Sequence, residues 1–147
     1  MKKVLIISYY WPPAGGSGVQ RWLKFVKYLP KYNWSPIVYT PENPYFEVND
    51  TALLYDIPKE TEIWKLPIWE PYALKDMLFS KGGKSQSAGV ISNKKSLKNK
   101  VMNWLRGNAF IPDPKVYWVK PSIKFLIDKI KKEKIDHIVT TGPPHSM

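Results

Sequence analysis

The sequence contains no cysteine and only two histidines. Without thiols the chain forms no disulfide framework and has no thiolate nucleophile, which fits a reducing cytoplasm. Two imidazoles and no thiolate hardly supply the partners that a metal role for His137 would need. Long apolar runs are also missing, since the run that follows Met1, Lys2 and Lys3 is too short for a signal peptide or a membrane span. We therefore expect a cytoplasmic protein that touches a membrane only peripherally.

Acidic residues are few, twelve against twenty-three Lys and Arg, and the formal net charge is +11. Such a charge favours polyanionic partners, namely nucleic acid, an anionic bilayer or phosphorylated ligands. No acid lies between Asp76 and Asp113, where basic residues accompany apolar ones at a spacing typical of a helix in a membrane interface. The same pattern fits a helix packed on its own domain with its lysines in solvent. The predicted membrane-interface residues are Lys94, Lys95, Lys98, Lys100, Trp104 and Arg106.

Apolar runs and amphipathic runs alternate along the chain. The run 4–7 is uncharged and rich in β-branched residues, as in a strand buried on both faces of a parallel sheet. The alternation predicts an α/β fold, with a Rossmann-like, mostly parallel sheet and flanking helices. Further strands are predicted at 36–40, 63–66 and 135–141. Helices are predicted from about Ser17 and, as a short helix, near 51–55. A third helix is predicted with Asp113 or Ser122 as its cap and with a packing stripe of Val119, Ile123, Leu126, Ile127 and Ile130.

Length and composition predict one domain over residues 1–147, because 44% of the residues are hydrophobic and suffice for a core. Seven tryptophans exceed what a small core normally absorbs, so some are expected to line a cleft or a surface. The texture changes at about 67–108, where aromatic residues and prolines lead into a stretch rich in Gly, Ser and Lys. This change predicts a basic and aromatic insertion within the domain.

A glycine loop, defined here as residues 15–18, joins the first predicted strand to the first predicted helix. Its glycines let the backbone take positive φ and let a ligand approach closely. The helix that follows directs free N–H groups and a partial positive charge at the loop, which suits a phosphate. The predicted donor-phosphate residues are Gly15, Gly16, Ser17 and Gly18. The same glycines would also serve a plain strand-to-helix turn.

Two common nucleotide-binding loops do not match. A dinucleotide fingerprint needs a small residue where this sequence has Arg21, so NAD binding is disfavoured. The string Gly-Lys-Ser at 83–85 has Leu78 where a Walker A loop needs glycine, and no strand precedes it. That string is interpreted as a flexible loop.

Three strings together resemble the N-terminal domain of glycosyltransferase family 4 enzymes, which is half of a GT-B fold. They occur in the family's order and across the whole chain, which makes the resemblance more specific than one glycine loop. The strings are Tyr-Trp-Pro-Pro at 10–13 with Gly-Gly-Ser-Gly at 15–18 and Arg21, Phe-Ile-Pro-Asp at 110–113 with Trp118, and Thr-Gly-Pro-Pro-His-Ser at 141–146.

The resemblance implies an enzyme that moves a sugar from a nucleotide-sugar to a glycan or lipid-linked acceptor, commonly with retention and without a metal. A role in bacterial surface polysaccharide or glycolipid synthesis, on the inner face of the cell membrane, is expected. Family members carry their main nucleotide-binding residues in a C-terminal domain, which this chain lacks. We therefore expect a fragment that is inactive alone and needs no cofactor besides the donor substrate.

The resemblance also implies roles for single residues. His145 would orient the sugar or the acceptor hydroxyl and is the predicted catalytic residue. In a parallel sheet the loops after the strand ends share one edge, so His145 should lie near the glycine loop. The predicted acceptor or sugar contacts are Trp11, Arg21, Asp113 and Ser146.

Other function classes remain open at the level of sequence. A basic module binding nucleic acid or acidic lipid through residues 81–106 explains the charge but leaves the glycine loop unused, and nucleic acid is the less favoured partner. A carbohydrate-binding protein without catalysis would use the aromatic residues for stacking. A nucleophilic triad of Ser8, His145 and Ser146 is disfavoured because the nucleophile-elbow sequence is absent. His137, inside an apolar strand, is interpreted as structural or edge-exposed.

Overall fold

The computed structural model describes residues 1–69, 113 and 115–145. Every strand predicted from the sequence is confirmed, as are the helices predicted after Ser17, near 51–55 and before the last strand. The elements are β1 (Lys2–Ser8), α1 (Ser17–Tyr28), a 3-10 helix (Leu29–Tyr32), β2 (Trp34–Pro41), a second 3-10 helix (Thr51–Asp56), β3 (Glu62–Leu66), α2 (Val116–Glu133) and β4 (His137–Thr141).

The four strands form one parallel sheet in the order β3-β2-β1-β4. Ile6, in the middle of β1, pairs with Val38 on one side and with Val139 on the other. The chain first moves outward from β1 to β3 and then returns to place β4 on the other side of β1. This order is that of the first four strands of a doubly wound sheet, and the fold is a Rossmann-like α/β fold.

Helix α1 covers one face of the sheet. Successive strand residues alternate between faces, so Val4 and Ile6 point towards α1 together with Val38 of β2. Apolar side chains at helical spacing on α1 meet them and are almost fully buried. These α1 residues are Val19, Leu23 and Val26.

Helix α2 covers the opposite face, where Leu5, Tyr39 and Trp64 pack with Trp118 and Leu126. The Tyr39 ring stacks on the Trp118 ring with centroids 4.8 Å apart and an interplanar angle of 4°. The Tyr39 hydroxyl donates a hydrogen bond to Ser122 Oγ (2.8 Å), which donates to the Trp118 carbonyl (2.6 Å). Burial raises the pKa of Tyr39 to about 12, although the Ser122 hydrogen bond opposes the shift.

Neither of the two predicted caps is the N-cap of α2, because Lys115 occupies that position and makes no side-chain capping hydrogen bond. Asp113 Oδ1 accepts a hydrogen bond from the Lys115 N–H (2.8 Å), and the Asp113 carbonyl accepts one from Val116 N–H (3.2 Å). Asp113 therefore forms an Asx-type turn just before the helix. Ser122 lies inside the helix and serves the buried network instead.

The packing stripe predicted for α2 is partly wrong. Ile123 and Ile127 are about half exposed, whereas the buried residues of the helix are Trp118, Ser122 and Leu126. The stripe was predicted from aliphatic residues alone. The stack on Tyr39 and the buried hydroxyl bond turn the helix so that an aromatic and a small polar residue lie on its packing face.

Candidate functional site

The two loops with predicted site residues leave neighbouring strands at the same edge of the sheet. Ser8, the last residue of β1, pairs with Thr141, the last residue of β4. The glycine loop follows β1, and a second loop, residues 142–145 and here called the β4 loop, follows β4. The strand order reverses between these two strands, and open α/β sheets bind ligands outside the carboxyl ends of the strands at such a reversal. Fold topology thus points to the place that the sequence motifs marked.

Helix α1 begins without a cap. Its first turn has no acidic residue and no side chain accepts a hydrogen bond from it. The first helical bond runs from Gln20 N–H to the Gly16 carbonyl (3.2 Å). Within the described part of the chain, the N–H groups of Ser17, Gly18 and Val19 have no protein acceptor. Three donors without a protein acceptor and the positive end of the helix dipole therefore lie at this edge, with Ser17 and Gly18 exposed and Val19 buried.

Gly16 sets the direction of that first turn. Its φ is 113° and its ψ is 164°, a backbone region that is essentially restricted to glycine. Apart from the adjoining backbone, no described atom lies within 4 Å of the place where a Cβ would stand at Gly16 or at Gly18. The conformation requires glycine at 16, while at 18 glycine leaves open space in front of the helix.

Gly15 contacts the segment 48–50 through its backbone. Its N–H donates to the Val48 carbonyl (2.9 Å), and a Cβ here would meet Val48 Cγ1 at 2.9 Å. Asp50 N–H donates to the Pro13 carbonyl (2.7 Å), so the segment 48–50 is bonded along the start of the loop. The Gly15 N–H is thus already used within the protein, and glycine at 15 lets the segment 48–50 pack closely.

A hydrogen bond joins α1 to the end of β4. Trp22 Nε1, one turn into α1, donates to the Thr141 hydroxyl at 2.7 Å. This bond fixes the first turns of α1 beside the strand that leads into the β4 loop. In that loop Pro144 is buried and His145 is exposed to solvent. The prediction that both loops share one sheet edge is confirmed.

The remaining predicted contact residues are distributed unevenly. Arg21 is exposed on α1, with its guanidinium 5.9 Å from the centre of the Trp22 ring. Trp11, a predicted acceptor or sugar contact, is only 2% exposed and belongs to the core beneath α1. Among the described residues, Trp11 Nε1 is a buried donor without a partner. Asp113 is engaged at the start of α2.

Several predictions fall outside the described residues. They concern Ser146, most of the insertion at about 67–108, and the membrane-interface residues Lys94, Lys95, Lys98, Lys100, Trp104 and Arg106. In the part of the chain that is described, no helix has the length and apolarity to cross a membrane. The same residues contain no cluster of His, Cys, Asp and Glu suited to a metal ion.

The described geometry opposes a nucleophilic role for Ser8. Its side chain is buried, and its hydroxyl donates to the Tyr10 carbonyl at 2.9 Å. His137 lies exposed on the edge strand with its ring centre 5.0 Å from that of Trp34, which confirms the structural interpretation. Both residues are thus accounted for without catalysis.

Sequence reasoning missed the segment 48–50 as a wall of the glycine loop. It contacts the loop through backbone hydrogen bonds and an isolated bridge between Ala14 and Asn49. Backbone bonds leave little trace in side-chain patterns. The glycine at 15 is the local residue that this contact requires, because a side chain there would clash with Val48. That requirement becomes apparent only once the fold is known.

A shallow concavity of about 680 Å³ lies at the opposite, amino edge of the sheet, near Lys2, Trp34 and Asp136. Ligands of open α/β sheets bind at the carboxyl edge, so this concavity does not compete with the two loops as a candidate site.

Comparisons of the chain with models of protein families, with curated proteins and with solved structures give no match. The described fold defines the class of protein, an α/β protein with a Rossmann-like parallel sheet and a candidate anion site at its strand reversal.

Proposed function

We propose that this chain is the acceptor-side, N-terminal domain of a family 4-like glycosyltransferase. The enzyme would transfer a sugar from a nucleotide-sugar to a glycan or lipid-linked acceptor at the cytoplasmic face of the cell membrane. The proposal combines the three family-like strings with one structural observation that carries it. That observation is the uncapped first turn of α1, which follows Gly16 and lies at the strand reversal.

The chemistry of sugar transfer explains why such a turn is useful. As the glycosidic bond to the donor breaks, negative charge gathers on the leaving diphosphate. The N–H groups of Ser17, Gly18 and Val19 are held by the helix, so they meet this charge without having to reorganise. Donors that bind the developing charge more strongly than the ground state lower the barrier. The donor substrate is then the only small molecule required, and we expect no metal or further cofactor.

His145 and Arg21 would act beside the diphosphate. His145 follows β4, the neighbour of β1, and its exposed imidazole would orient the sugar or the acceptor hydroxyl. Arg21 lies one turn beyond the free N–H groups, where its cation would add to the positive potential. Family 4 enzymes place their main nucleotide-binding residues in a second domain, so this domain alone is expected to turn over no sugar.

Gly16→Val, made in the protein encoded by the complete reading frame, tests the proposal. A β-branched residue cannot adopt the Gly16 conformation without strain and would displace the first turn. We expect turnover of the nucleotide-sugar to fall by about tenfold to a thousandfold, by analogy with the loss of one oxyanion donor. Donor affinity should fall less than turnover.

The matched control is Gly18→Ala, which adds a methyl group to a helical residue with open space around it. Circular dichroism should stay native in both variants, and Gly18→Ala should keep most of the turnover. A folded Gly16→Val enzyme with unchanged turnover would show that the loop is only a turn. Absence of sugar transfer by the complete protein with every common nucleotide-sugar would contradict the enzyme class itself.

A further inference from the structure

The outer face of α1 and of the following 3-10 helix carries large aromatic side chains in solvent. Phe25 is 50% exposed, Tyr28 is 45% exposed and Tyr32 is 74% exposed. On the helical wheel, Tyr28 is on the side opposite the buried Leu23, so it points directly away from the sheet. Tyr28 is therefore not at the margin of the core, while the Phe25 ring lies beside Trp22, which packs against it. We call this surface the α1 outer face.

Exposed basic side chains accompany these aromatic rings. Arg21, Lys24, Lys27 and Lys31 are all exposed along the same elements. The Lys31 ammonium lies 5.1 Å from the centre of the Tyr28 ring. Across residues 1–41 the sequence contains no acidic residue at all. The α1 outer face is thus both aromatic and positively charged.

Little in the described structure neutralises this charge. Lys24 Nζ lies 3.7 Å from Asp56 Oδ2, and both side chains are about half exposed. An exposed pair of this kind contributes roughly 0–1 kcal/mol and is screened by salt. This pair is the only ion pair of these four cations within the described residues.

Exposed aromatic side chains beside cations on one helical face have a specific physical use. Contiguous exposed apolar surface marks an interaction site. Aromatic rings prefer the headgroup level of a bilayer, and basic residues near an anionic leaflet are attracted to its phosphates. We propose that the α1 outer face docks on an anionic lipid bilayer, with Phe25, Tyr28 and Tyr32 among the headgroups. The proposal does not depend on the sugar-transfer function.

Charge complementarity favours an anionic bilayer over a second copy of the chain as the partner of this face. Two copies meeting through this face would bring their cations together, since among the described residues only the Asp56 carboxylate forms an ion pair with them. Phe25 and Tyr28 follow the outer side of one helix, whereas proteins that bind single-stranded nucleic acid use a groove that tracks its backbone. Tyr32 lies at the edge of the concavity near Lys2 and Trp34. A bilayer accepts a convex face that presents rings and cations together.

The absence of cysteine makes a direct test simple. A polarity-sensitive fluorophore on Tyr28→Cys reports on the α1 outer face alone. The matched control is Ile127→Cys, a half-exposed apolar position on α2, on the other side of the sheet. Each labelled full chain is mixed with vesicles of phosphatidylcholine alone and with vesicles that also contain phosphatidylglycerol. We expect the label at 28 to enter an apolar environment only with the anionic vesicles, and the label at 127 to stay in water.

A charge-matched pair of variants measures the electrostatic part. Changing Lys24, Lys27 and Lys31 to Gln should weaken vesicle partition by about fivefold per lysine. Changing Lys124, Lys131 and Lys132 of α2 to Gln removes the same charge and should weaken it by less than about fivefold in total. Circular dichroism of both variants should remain native, because all six side chains are exposed.

Four results would overturn the proposal. In the first, the chain does not bind anionic vesicles. In the second, it binds them while the label at 28 stays in water, which would place the bound surface elsewhere, for example at 94–106. Equal loss of partition in the two lysine variants would indicate general charge attraction only. Salt-sensitive binding to single-stranded DNA that moves the label at 28 out of water, while anionic vesicles leave it there, would assign the surface to nucleic acid.

Discussion

Three glycines that look alike in the sequence do three different things. Gly15 lets the segment at Val48 approach, Gly16 adopts a conformation that side chains disfavour, and Gly18 leaves space in front of α1. The sequence pattern predicted glycine-dependent geometry correctly but could not divide these roles. The division depends on a contact with residues more than thirty positions away in the chain and on one backbone angle. Gly16→Val and Gly18→Ala therefore probe different physics within one loop.

Tyr39 gives a residue-scale prediction about alkaline pH. Burial raises its pKa to about 12, above the value of about 10 in an unfolded chain. A raised folded-state pKa means that the native state resists loss of the proton. Its contribution to stability is fully present below about pH 10 and is lost as the pH rises through about 12.

The measurement is the free energy of unfolding by denaturant between about pH 9 and 12, for the native sequence and for Tyr39→Phe. The variant should be less stable at neutral pH by about 1 kcal/mol, because the Ser122 hydroxyl loses its donor. It should then lose less stability than the native sequence as the pH rises. Parallel curves for the two proteins would show that Tyr39 titrates as it does in solvent.

At the scale of elements, the strands were predictable and the face of α2 was not. Strand runs are continuous and apolar, so their position follows from composition alone, as in 4–7 of β1. The orientation of α2 depends on the stack between Tyr39 and Trp118 and on the buried Ser122 hydroxyl. Those contacts join positions about eighty residues apart in sequence. No periodicity within the helix contains that information.

Two neighbouring residues of α2 test its orientation. Leu126 is buried and Ile127 is half exposed, although the aliphatic stripe would bury both. We expect Leu126→Ala to lower the free energy of unfolding by about 2–5 kcal/mol and Ile127→Ala by less than about 1 kcal/mol. Denaturant unfolding measures both. Losses of similar size would support the stripe and contradict the described packing.

At the scale of the whole molecule, β4 forms an edge of the described sheet. It pairs with β1 on one side, and Ile138 in its centre is half exposed. Exposed strand edges with apolar side chains pair with other chains. We expect light scattering to show association that grows with protein concentration, and Ile138→Lys to reduce it. A strict monomer at high concentration would contradict this expectation. Trp22→Phe removes the hydrogen bond between α1 and Thr141 of β4. Unchanged association in this variant would show that this contact is not involved.

The strand order also places the candidate site at the reversal of the sheet. Sequence reasoning placed the glycine loop and His145 at one edge, because parallel strands share their carboxyl ends. The order β3-β2-β1-β4 adds that these loops flank the point where the order reverses. That fact depends on which strands are neighbours, and neighbours are chosen by packing on both faces of the sheet rather than by any local motif.

The central claim is that the first turn of α1 binds the diphosphate of a sugar donor. Amide chemical shifts of this chain, followed by NMR during titration with inorganic pyrophosphate, test it most directly because pyrophosphate stands in for the leaving group. We predict saturable shifts at the N–H groups of Ser17, Gly18 and Val19, retained in Gly18→Ala and lost in Gly16→Val. Shifts confined to the lysines of the α1 outer face, or no shifts at 17–19, would contradict the claim and leave the bilayer proposal untouched.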